Sequence, residues 1–323
     1  MQSPFITRRA SLLATAALAL CGPARAQSAR PLRVVVPGPA GSAMDAFMRV
    51  VSAPLGQRTG HPVVVENLPG AGGTLATAQV ARAAPDGLTL EIVSSNHVVN
   101  PSLFKSLPYD TIHSFTPITI IGVVPIVLVV SNTVTAKSVP ELIAQIKARP
   151  SGDFNYGSLG IGTVLHLAGE LFDAEAGVKT THVPYKDAGG LTADLVSGQV
   201  HMAYLALPSV AQLIKTGKLR ALGVTTGKRS PALAEVPSIS ETLPAYSFDA
   251  WLALIAPKGM SPDLVGKYYE HLKSSMDEPA VKEAIAVQGL APVLMPPAQA
   301  AQYFQSELAK HAALVKRSGA TPQ

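Results

Sequence analysis

The sequence predicts an α/β protein with parallel, doubly wound sheets that carry helices on both faces. Three observations predict this class. Short β-branched apolar runs alternate with segments of helical periodicity. Glycine-rich loops stand where predicted strands pass into predicted helices. The chain has 323 residues, 47% of them hydrophobic, which is enough for one large or two modest domains.

The N-terminus has the pattern of a secretory signal. Arg8 and Arg9 precede the apolar run 12–20, and Ala24-Arg25-Ala26 has the form of a cleavage site. The run is too short to span a bilayer. We therefore expect residues 1–26 to be a signal peptide cleaved after Ala26, with the Sec and twin-arginine routes both open.

Removal of that signal changes the charge and the cysteine content. It takes away Arg8, Arg9 and Arg25 and no acidic residue, so the net charge falls from +5 to +2. This low charge does not support nucleic-acid binding. Cys21 is the single cysteine, and Leu20 before it is not the small residue that a lipobox requires. The mature chain would then have no thiol, which excludes disulfides, zinc–thiolate sites and cysteine catalysis.

The first predicted strand, loop and helix form the stretch 32–45, LRVVVPGPAGSAMD. A strand at 34–36 leads through a Pro/Gly/Ser loop into a helix at 43–58, which we expect Pro54 to kink or shorten. The first N–H groups of a helix have no helical partner, and the helix dipole is positive there, so this junction suits an anion. The stretch matches neither a P-loop nor a dinucleotide fingerprint. A small anion and a simple β–α turn both remain open.

Within this loop, Gly41 would let a ligand approach the backbone and Ser42 would add a hydroxyl donor. Asp45 lies in the first turn of the helix, where a carboxylate complements the dipole. Two interpretations of Asp45 remain open. It caps the helix, or it faces a cleft and orients water or a ligand ammonium.

The next unit contains a second strand at 62–67, a glycine-rich turn at 68–74, LPGAGGT, and a helix at 75–84. A strand at 88–94 follows and ends at Ser95 and Asn96. Ligands of open α/β sheets collect at the carboxyl ends of strands, so we expect these two side chains to be polar contacts unless they only close the loop. Residues 100–114 are predicted to be irregular.

A second loop of the same design lies at 155–166, NYGSLGIGTVLH. Ser158, Gly160, Gly162 and Thr163 offer backbone and hydroxyl donors at the start of a predicted helix at 163–176. His166 lies one turn inside that helix, either as a ligand contact or as a locally packed residue. Two such loops in the two halves of the chain predict a ligand held between two lobes.

The remaining elements continue the alternation. The predicted crossing between the lobes is 125–131, and Trp251 is predicted to be a core residue on the strand that returns. The other predicted strands are 118–121, 126–130, 154–157, 181–185, 200–205, 219–225 and 248–256; the other helices are 138–149, 188–197, 209–215, 262–276, 280–288 and 298–318; residues 229–247 are predicted to be irregular.

Catalytic and metal motifs are missing from the sequence. It contains no GxSxG elbow, no HExxH motif and no acidic pair or histidine cluster at metal-ligand spacing. We therefore predict no cofactor, no metal and no enzymatic activity. A hydrolase or isomerase that uses Asp45 and His166 is the remaining catalytic alternative.

Several segments together resemble the Bug-type solute receptors, the extracytoplasmic binding proteins of tripartite tricarboxylate transporters. The similarity extends over the mature chain in order and at matching spacing. The segments are VVVPGPAGSAMD, HPVVVENLPGAGGTLATAQVARAAPDGLTL, NPSLFKSLPYD, NYGSLGIGT, HLAGELF, THVPYK and GKLRALGVTTGKRSPALAEVPSISE.

This resemblance implies a type II periplasmic-binding-protein fold, with two doubly wound α/β lobes and a ligand cleft between them. The first lobe would comprise 27–125 and 250–323, and the second 126–249. The family holds carboxylated small molecules through backbone amides, hydroxyls and water. The implied ligand-binding residues are Pro39, Ala40, Gly41, Ser42, Asp45, Ser95, Asn96, Ser158, Gly160, Gly162, Thr163, His166 and Leu205.

The resemblance also implies partners and a location. It implies a periplasmic, monomeric receptor that delivers a small organic acid to the membrane permease subunits of a transporter. A sensor that presents the same ligand to a signalling receptor is the alternative from another class.

Three departures from the family pattern bear on the ligand. Gly41-Ser42-Ala43 stands where a run of glycines is usual, and Gly38 stands where Phe or Tyr is common. Leu205 stands where the family often has an acidic residue. Since a buried cation needs a partner, an apolar residue there disfavours a ligand ammonium. We therefore expect a carboxylate without an amino group, with room for an apolar or aromatic body.

Overall fold

The computed structural model describes residues 30–318, so the predicted signal peptide and its cleavage site lie outside the described residues. Over this range the chain forms two sheets. It builds most of the first sheet, passes at Pro125 into the second, and returns to the first with its tenth strand. Helices cover both sheets, which gives two α/β lobes as predicted.

The first sheet has six strands. They are β1 Leu32–Val36, β2 Val63–Asn67, β3 Thr89–Ser94, β4 Phe115–Val124, β10 Ala250–Pro257 and β11 Ala291–Pro292. Their order is β11-β4-β10-β3-β1-β2. β1 runs parallel to β2 and β3, whereas β10 runs antiparallel to β3 and β4.

The second sheet has five strands. They are β5 Ile126–Ser131, β6 Asn155–Ser158, β7 Thr181–Pro184, β8 Met202–Ala206 and β9 Leu219–Val224. Their order is β7-β6-β8-β5-β9, with β6 parallel to β7 and β8 and with β5 antiparallel to β8 and β9.

Ten α-helices lie within the described residues. They are α1 Ala43–Thr59, α2 Thr74–Ala81, α3 Asn96–Leu103, α4 Val139–Lys147, α5 Val164–Ala176, α6 Ala188–Ser197, α7 Leu207–Lys215, α8 Pro262–Met276, α9 Pro279–Val287 and α10 Pro297–Ser318. Short 3₁₀ turns occur at Ala71–Gly73, Pro231–Leu233 and Ile239–Glu241.

Local sequence sets many helix ends. Ser42, Thr163 and Ser261 each accept a hydrogen bond from the backbone N–H three residues ahead, which satisfies a donor that the helix itself leaves unpaired. At the other end, Gly60 and Gly177 adopt left-handed backbone angles and stop α1 and α5.

Three apolar clusters hold the sheets and helices together. One face of the first sheet packs on α1 through Phe47, while the other face contains the fully buried Trp251, as predicted. The second sheet has its own core, which contains Tyr204. Leu314 of α10 also belongs to this second core, and α10 contacts both α3 and α5, so the C-terminal helix ties the two lobes together.

Three expectations are corrected by the structure, and one strand is new. Both sheets are mixed rather than parallel, because β5 and β10 oppose their neighbours. Pro54 does not shorten helix α1, which continues to Thr59 because its apolar face is buried; a kink at Pro54 stays a prediction. The expected irregular segment 100–114 begins inside helix α3, whose residues Val98 and Val99 are fully buried. The short strand β11 was not predicted.

Candidate functional site

The loop between β1 and α1 is held by bonds within itself. Gly41 has a positive φ of 81°, and the Ser42 N–H donates to the carbonyl oxygen of Pro39 at 3.1 Å. The Ser42 Oγ accepts from the Asp45 N–H at 3.4 Å, so the hydroxyl proton of Ser42 is directed elsewhere. Ala40 and Gly41 are exposed at the tip of this loop.

The Asp45 side chain holds this loop in place through hydrogen bonds. Its Oδ2 accepts from the Gly41 N–H at 2.8 Å and from Nε of Arg49 at 2.9 Å. The carboxylate is 2% exposed, whereas Arg49 is 59% exposed. The hydrogen bond from Arg49, aided by Gly41, holds the pKa of Asp45 below its ordinary value although burial opposes the shift. These contacts fit the structural interpretation of Asp45, and a contact with a ligand stays a prediction.

A cavity of about 240 Å³ opens at the carboxyl ends of β1 and β3. Three segments line it, 37–44, 69–77 and 93–100. Of the predicted site residues, Pro39, Ser42 and Asn96 line this cavity. Ser95 is fully buried, and its N–H donates to the carbonyl oxygen of Trp251 at 3.1 Å.

Part of this cavity lining was not predicted from the sequence. Thr77, His97 and Asn100 also line the cavity, together with the turn 70–73. The Asn100 Nδ2 donates to the carbonyl oxygen of Gly72 at 3.1 Å and so holds that turn. The LPGAGGT pattern signalled the turn itself, because three of its glycines adopt positive φ. The strand end at 95–97 signalled the position of His97, although only Ser95 and Asn96 were predicted as contacts, and nothing local in the sequence signalled Asn100.

The second loop, between β6 and α5, is also bonded internally. Gly160 and Gly162 have positive φ values of 114° and 78°. The Thr163 hydroxyl donates to the carbonyl oxygen of Gly160 at 2.8 Å and accepts from the His166 N–H at 3.3 Å. Ser158 is fully buried and donates to the same carbonyl at 3.1 Å.

A pair of histidines lies under this loop. The rings of His166 and His182 are 4.3 Å apart between centroids, and Nε2 of His182 lies 2.7 Å from the Ser158 Oγ. Because the Ser158 proton serves Gly160, the network assigns a proton to Nε2 of His182. The Nδ1 of His166 accepts from the Gly162 N–H at 3.3 Å. His182 was not predicted as a site residue from the sequence.

Both rings are uncharged at neutral pH. Burial lowers the pKa of His166 to about 4 and that of His182 to about 4. The stretches 37–45 and 158–166 also contain no lysine or arginine. Both loops therefore offer dipoles and neutral donors rather than cationic side chains.

Helix α3 connects the two sites. Asn96 at its start lines the cavity, and Leu103 at its end packs on the second loop. A Cβ on Gly162 would lie 2.7 Å from Cδ1 of Leu103, and the φ of 78° at this position also favours glycine. Leu205 on β8 is 1% exposed in the core of the second lobe, opposite Val127.

Among the described residues, no three His, Cys, Asp or Glu side chains are grouped to hold a metal ion. None of the helices in residues 30–318 has the length and apolarity needed to cross a bilayer.

Comparison with known proteins gives consistent matches. Residues 47–320 match the model of the tripartite tricarboxylate transporter family receptor. Protein BugT of Bordetella pertussis is 36% identical over 311 residues, which is 95% of each chain. Among solved structures, R. palustris Rpa4515 with adipate has a TM-score of 0.81 and 29% identity, covering 91% of this chain and 99% of that one. The periplasmic binding protein BugD has a TM-score of 0.79 and 30% identity, with the same coverage. MatC (Rpa3494) from Rhodopseudomonas palustris, with bound malate, has a TM-score of 0.77 and 29% identity, covering 88% and 99%.

Proposed function

This chain belongs to the family of tripartite tricarboxylate transporter receptors, and we propose that it captures a small organic carboxylate between its two lobes. One observation carries the proposal. A cavity of about 240 Å³ at the carboxyl ends of β1 and β3 is lined by uncharged polar groups and a helix N-terminus. Such a surface stabilises an anion through oriented dipoles.

In the first lobe, the donors that remain for a ligand are side chains. The Gly41 N–H already serves Asp45, whereas Ser42 and Asn96, which both line the cavity, carry a hydroxyl and an amide donor. We assign the ligand carboxylate to these two groups, with Pro39 and Ala40 shaping the loop around it. The buried Asp45 and Ser95 stabilise this part of the cavity wall.

In the second lobe, Ser158, Gly160, Gly162 and Thr163 form the facing loop. Their internal hydrogen bonds fix its shape, and the neutral His166 adds a ring nitrogen next to it. The assignment of these residues to the ligand is supported by the contact of α3 with both sites. Leu205 gives the site an apolar side chain at the position where the family often has a carboxylate.

The lobes themselves are assigned from the chain path. Sheet membership supports a first lobe of 27–125 and 250–323 and a second lobe of 126–249, with crossings near Pro125 and before β10. Hinge closure about these crossings would enclose the ligand.

The ligand class follows from charge. Leu205 is apolar where the family often has an acidic residue, so a ligand ammonium would lack a carboxylate partner at that position. Rpa4515 was solved with adipate and MatC with malate, which are both acids without an amino group. We therefore propose an organic acid of this kind as the ligand of this chain.

The remaining assignments follow the family. The chain would act as a monomeric periplasmic receptor, released by cleavage after Ala26, and would deliver its ligand to the membrane permease subunits of a transporter. No reaction and no nucleic-acid partner are proposed for it.

A thermal-shift screen of residues 27–323 tests this function. Adipate, malate, citrate, aromatic acids, glutamate and aspartate are compared, because a ligand that binds only the folded state raises the melting temperature. A rise with an acid that lacks an amino group supports the proposal. A rise only with amino acids or neutral compounds overturns the ligand class, and turnover of a bound acid overturns the receptor assignment.

Two serine variants locate the site. Ser42→Ala should weaken the effect of the bound acid, since the hydroxyl is lost from the cavity. Ser52→Ala is the matched control on the same helix, because its hydroxyl donates to the carbonyl oxygen of Met48 instead. Equal weakening by both variants would contradict the site.

A further inference from the structure

Glu91 is a carboxyl group fully buried behind the cavity of the first lobe. It lies on β3, beside Val35 of β1 on one side and Ile255 of β10 on the other. No lysine or arginine pairs with it among the ion pairs of the described residues, and its Oε2 has no hydrogen-bond partner there. An ionised carboxylate in such a place would be very costly.

The hydrogen bonds around Glu91 are satisfied only by the neutral acid. The Thr77 Oγ1 lies 2.7 Å from Oε1 of Glu91 and 3.0 Å from the carbonyl oxygen of Gly73. Threonine has one hydroxyl proton, so an ionised Glu91 and Gly73 would compete for it. A protonated Glu91 donates to Thr77, and Thr77 then donates to Gly73. Both bonds exist at once only in this state.

The charged and titratable side chains near Glu91 are consistent with a protonated Glu91. Tyr109 is the titratable side chain that faces Glu91, and its pKa is raised to about 12, mainly by burial. His97 of α3 stacks on Tyr109, and burial lowers its pKa to about 4, so it is neutral. Arg33, on the same face of β1, is paired with Glu66. Burial raises the pKa of Glu91 itself to about 8.

The chain of bonds ends on the wall of the cavity. Gly73 lines the cavity, has a φ of 91°, and donates its N–H to the carbonyl oxygen of Gly70 at 2.8 Å. A Cβ at Gly73 would lie 2.9 Å from Cβ of Pro37, on the first loop. The position of the Gly73 carbonyl therefore sets how the turn 70–73 packs against that loop.

We propose that Glu91 is a positioning residue that keeps its proton in the folded protein and, through Thr77, fixes the turn 70–73 against the ligand-binding loop. The consequence for ligand affinity rests on the proposed receptor function. Loss of the proton would break one of the two bonds, loosen the turn and weaken ligand binding.

Infrared spectroscopy tests the protonation without any ligand. The wild-type protein at pH 7 should show the C=O stretching band of a neutral carboxylic acid, and this band should disappear on titration with a midpoint near pH 8. The band should be absent from Glu91→Gln and retained in Glu283→Gln, an exposed glutamate on α9. Absence of the band from the wild type at pH 7 overturns the proposal.

Hydrogen exchange of the segment 70–77 tests the positioning. Glu91→Gln should match the wild type at pH 7, because the glutamine amide also donates to Thr77. Glu91→Leu and Thr77→Val should speed the exchange of this segment by roughly 2- to 10-fold, the loss of one net hydrogen bond. Thr77→Val keeps the side-chain shape and serves if Glu91→Leu does not fold. Equal exchange in Glu91→Gln and Thr77→Val overturns the proposal.

Calorimetry with adipate as the probe tests whether the proton on Glu91 affects ligand affinity. The affinity of the wild type should fall between pH 7 and 9, while that of Glu91→Gln should stay constant. A parallel fall in both proteins overturns the link to binding. If adipate binds neither protein, the proposed ligand class fails for this acid, while the infrared and exchange results still decide the role of Glu91.

Discussion

The Gly41 N–H donates a 2.8 Å hydrogen bond to Oδ2 of Asp45, four residues further along the chain. This bond closes the loop before α1 onto the first turn of the helix. It takes up the Gly41 N–H and fixes Gly41 in its left-handed conformation. The buried carboxylate of Asp45 thus sets the shape of the loop that lines the cavity.

Asp45→Ala should destabilise the protein by about 1–3 kcal/mol, because a buried acceptor and its backbone partner are lost. Arg49→Ala should cost less, since Arg49 is 59% exposed and water can replace it. Urea unfolding of both variants measures the difference. Equal losses of stability in the two variants would show that the ion pair with Arg49, and not the hydrogen bond from Gly41, holds the loop.

The Asp45 contribution should also depend on pH. The pKa of Asp45 in the folded protein lies below its ordinary value of 3.8. The stabilisation is therefore complete above that value and is lost as the pH falls further. The wild type and Asp45→Ala should converge in stability in acid, as chemical denaturation at several pH values would show.

The contact of Gly162 with Leu103 predicts a steric and a conformational effect. Gly162→Ala would place a Cβ 2.7 Å from Cδ1 of Leu103 at a φ of 78°. Gly177→Ala is the matched control, because its φ is 59° and no atom lies within 4 Å of the added Cβ. Gly162→Ala should therefore be the more destabilising change, by about 1–3 kcal/mol. Combining Leu103→Ala with Gly162→Ala should remove the part of the destabilisation that comes from the contact with Leu103. A double-mutant cycle measures that part.

The loops of this protein were predictable because their conformation is local. Glycines at 41, 160 and 162 adopt positive φ, and the serine or threonine before each helix caps it, as the residue types indicate. The strand-to-helix junctions, and with them the candidate anion sites, follow from these patterns.

The parts that were missed depend on tertiary contacts. Helix α3 contains Pro101 and two asparagines, so its propensity is low, yet the burial of Val98 and Val99 holds it. His182 is a single histidine on the edge strand β7, and only the pairing of β7 with β6 brings it to Ser158. The antiparallel course of β10 depends on the path of the returning chain, which no local pattern encodes.

Asn96 distinguishes an anionic ligand from a neutral one. Asn96→Ala removes an amide from the cavity wall, while Asn96→Asp replaces it with a carboxylate of nearly the same shape. For a carboxylate ligand, the aspartate variant should lose more affinity than the alanine variant, by roughly tenfold or more at low salt, because like charges repel. Calorimetry with the acid found in the screen measures this order. The reverse order would contradict an anion next to Asn96.

The histidine pair predicts a loss of stability on mild acidification. The pKa of His166 and that of His182 are about 4 in the folded protein, below their ordinary value of 6.5, because burial disfavours the charged rings. The unfolded chain binds these protons first, so the free energy of unfolding should fall as the pH drops from about 6.5 to about 4. His182→Gln should reduce this fall, since one such group is removed while the amide still donates to Ser158. His113→Gln, at a histidine that is 77% exposed and lies outside this pair, is the control for the substitution itself. An equal change in both variants would mean that the pair under the second loop does not govern acid stability.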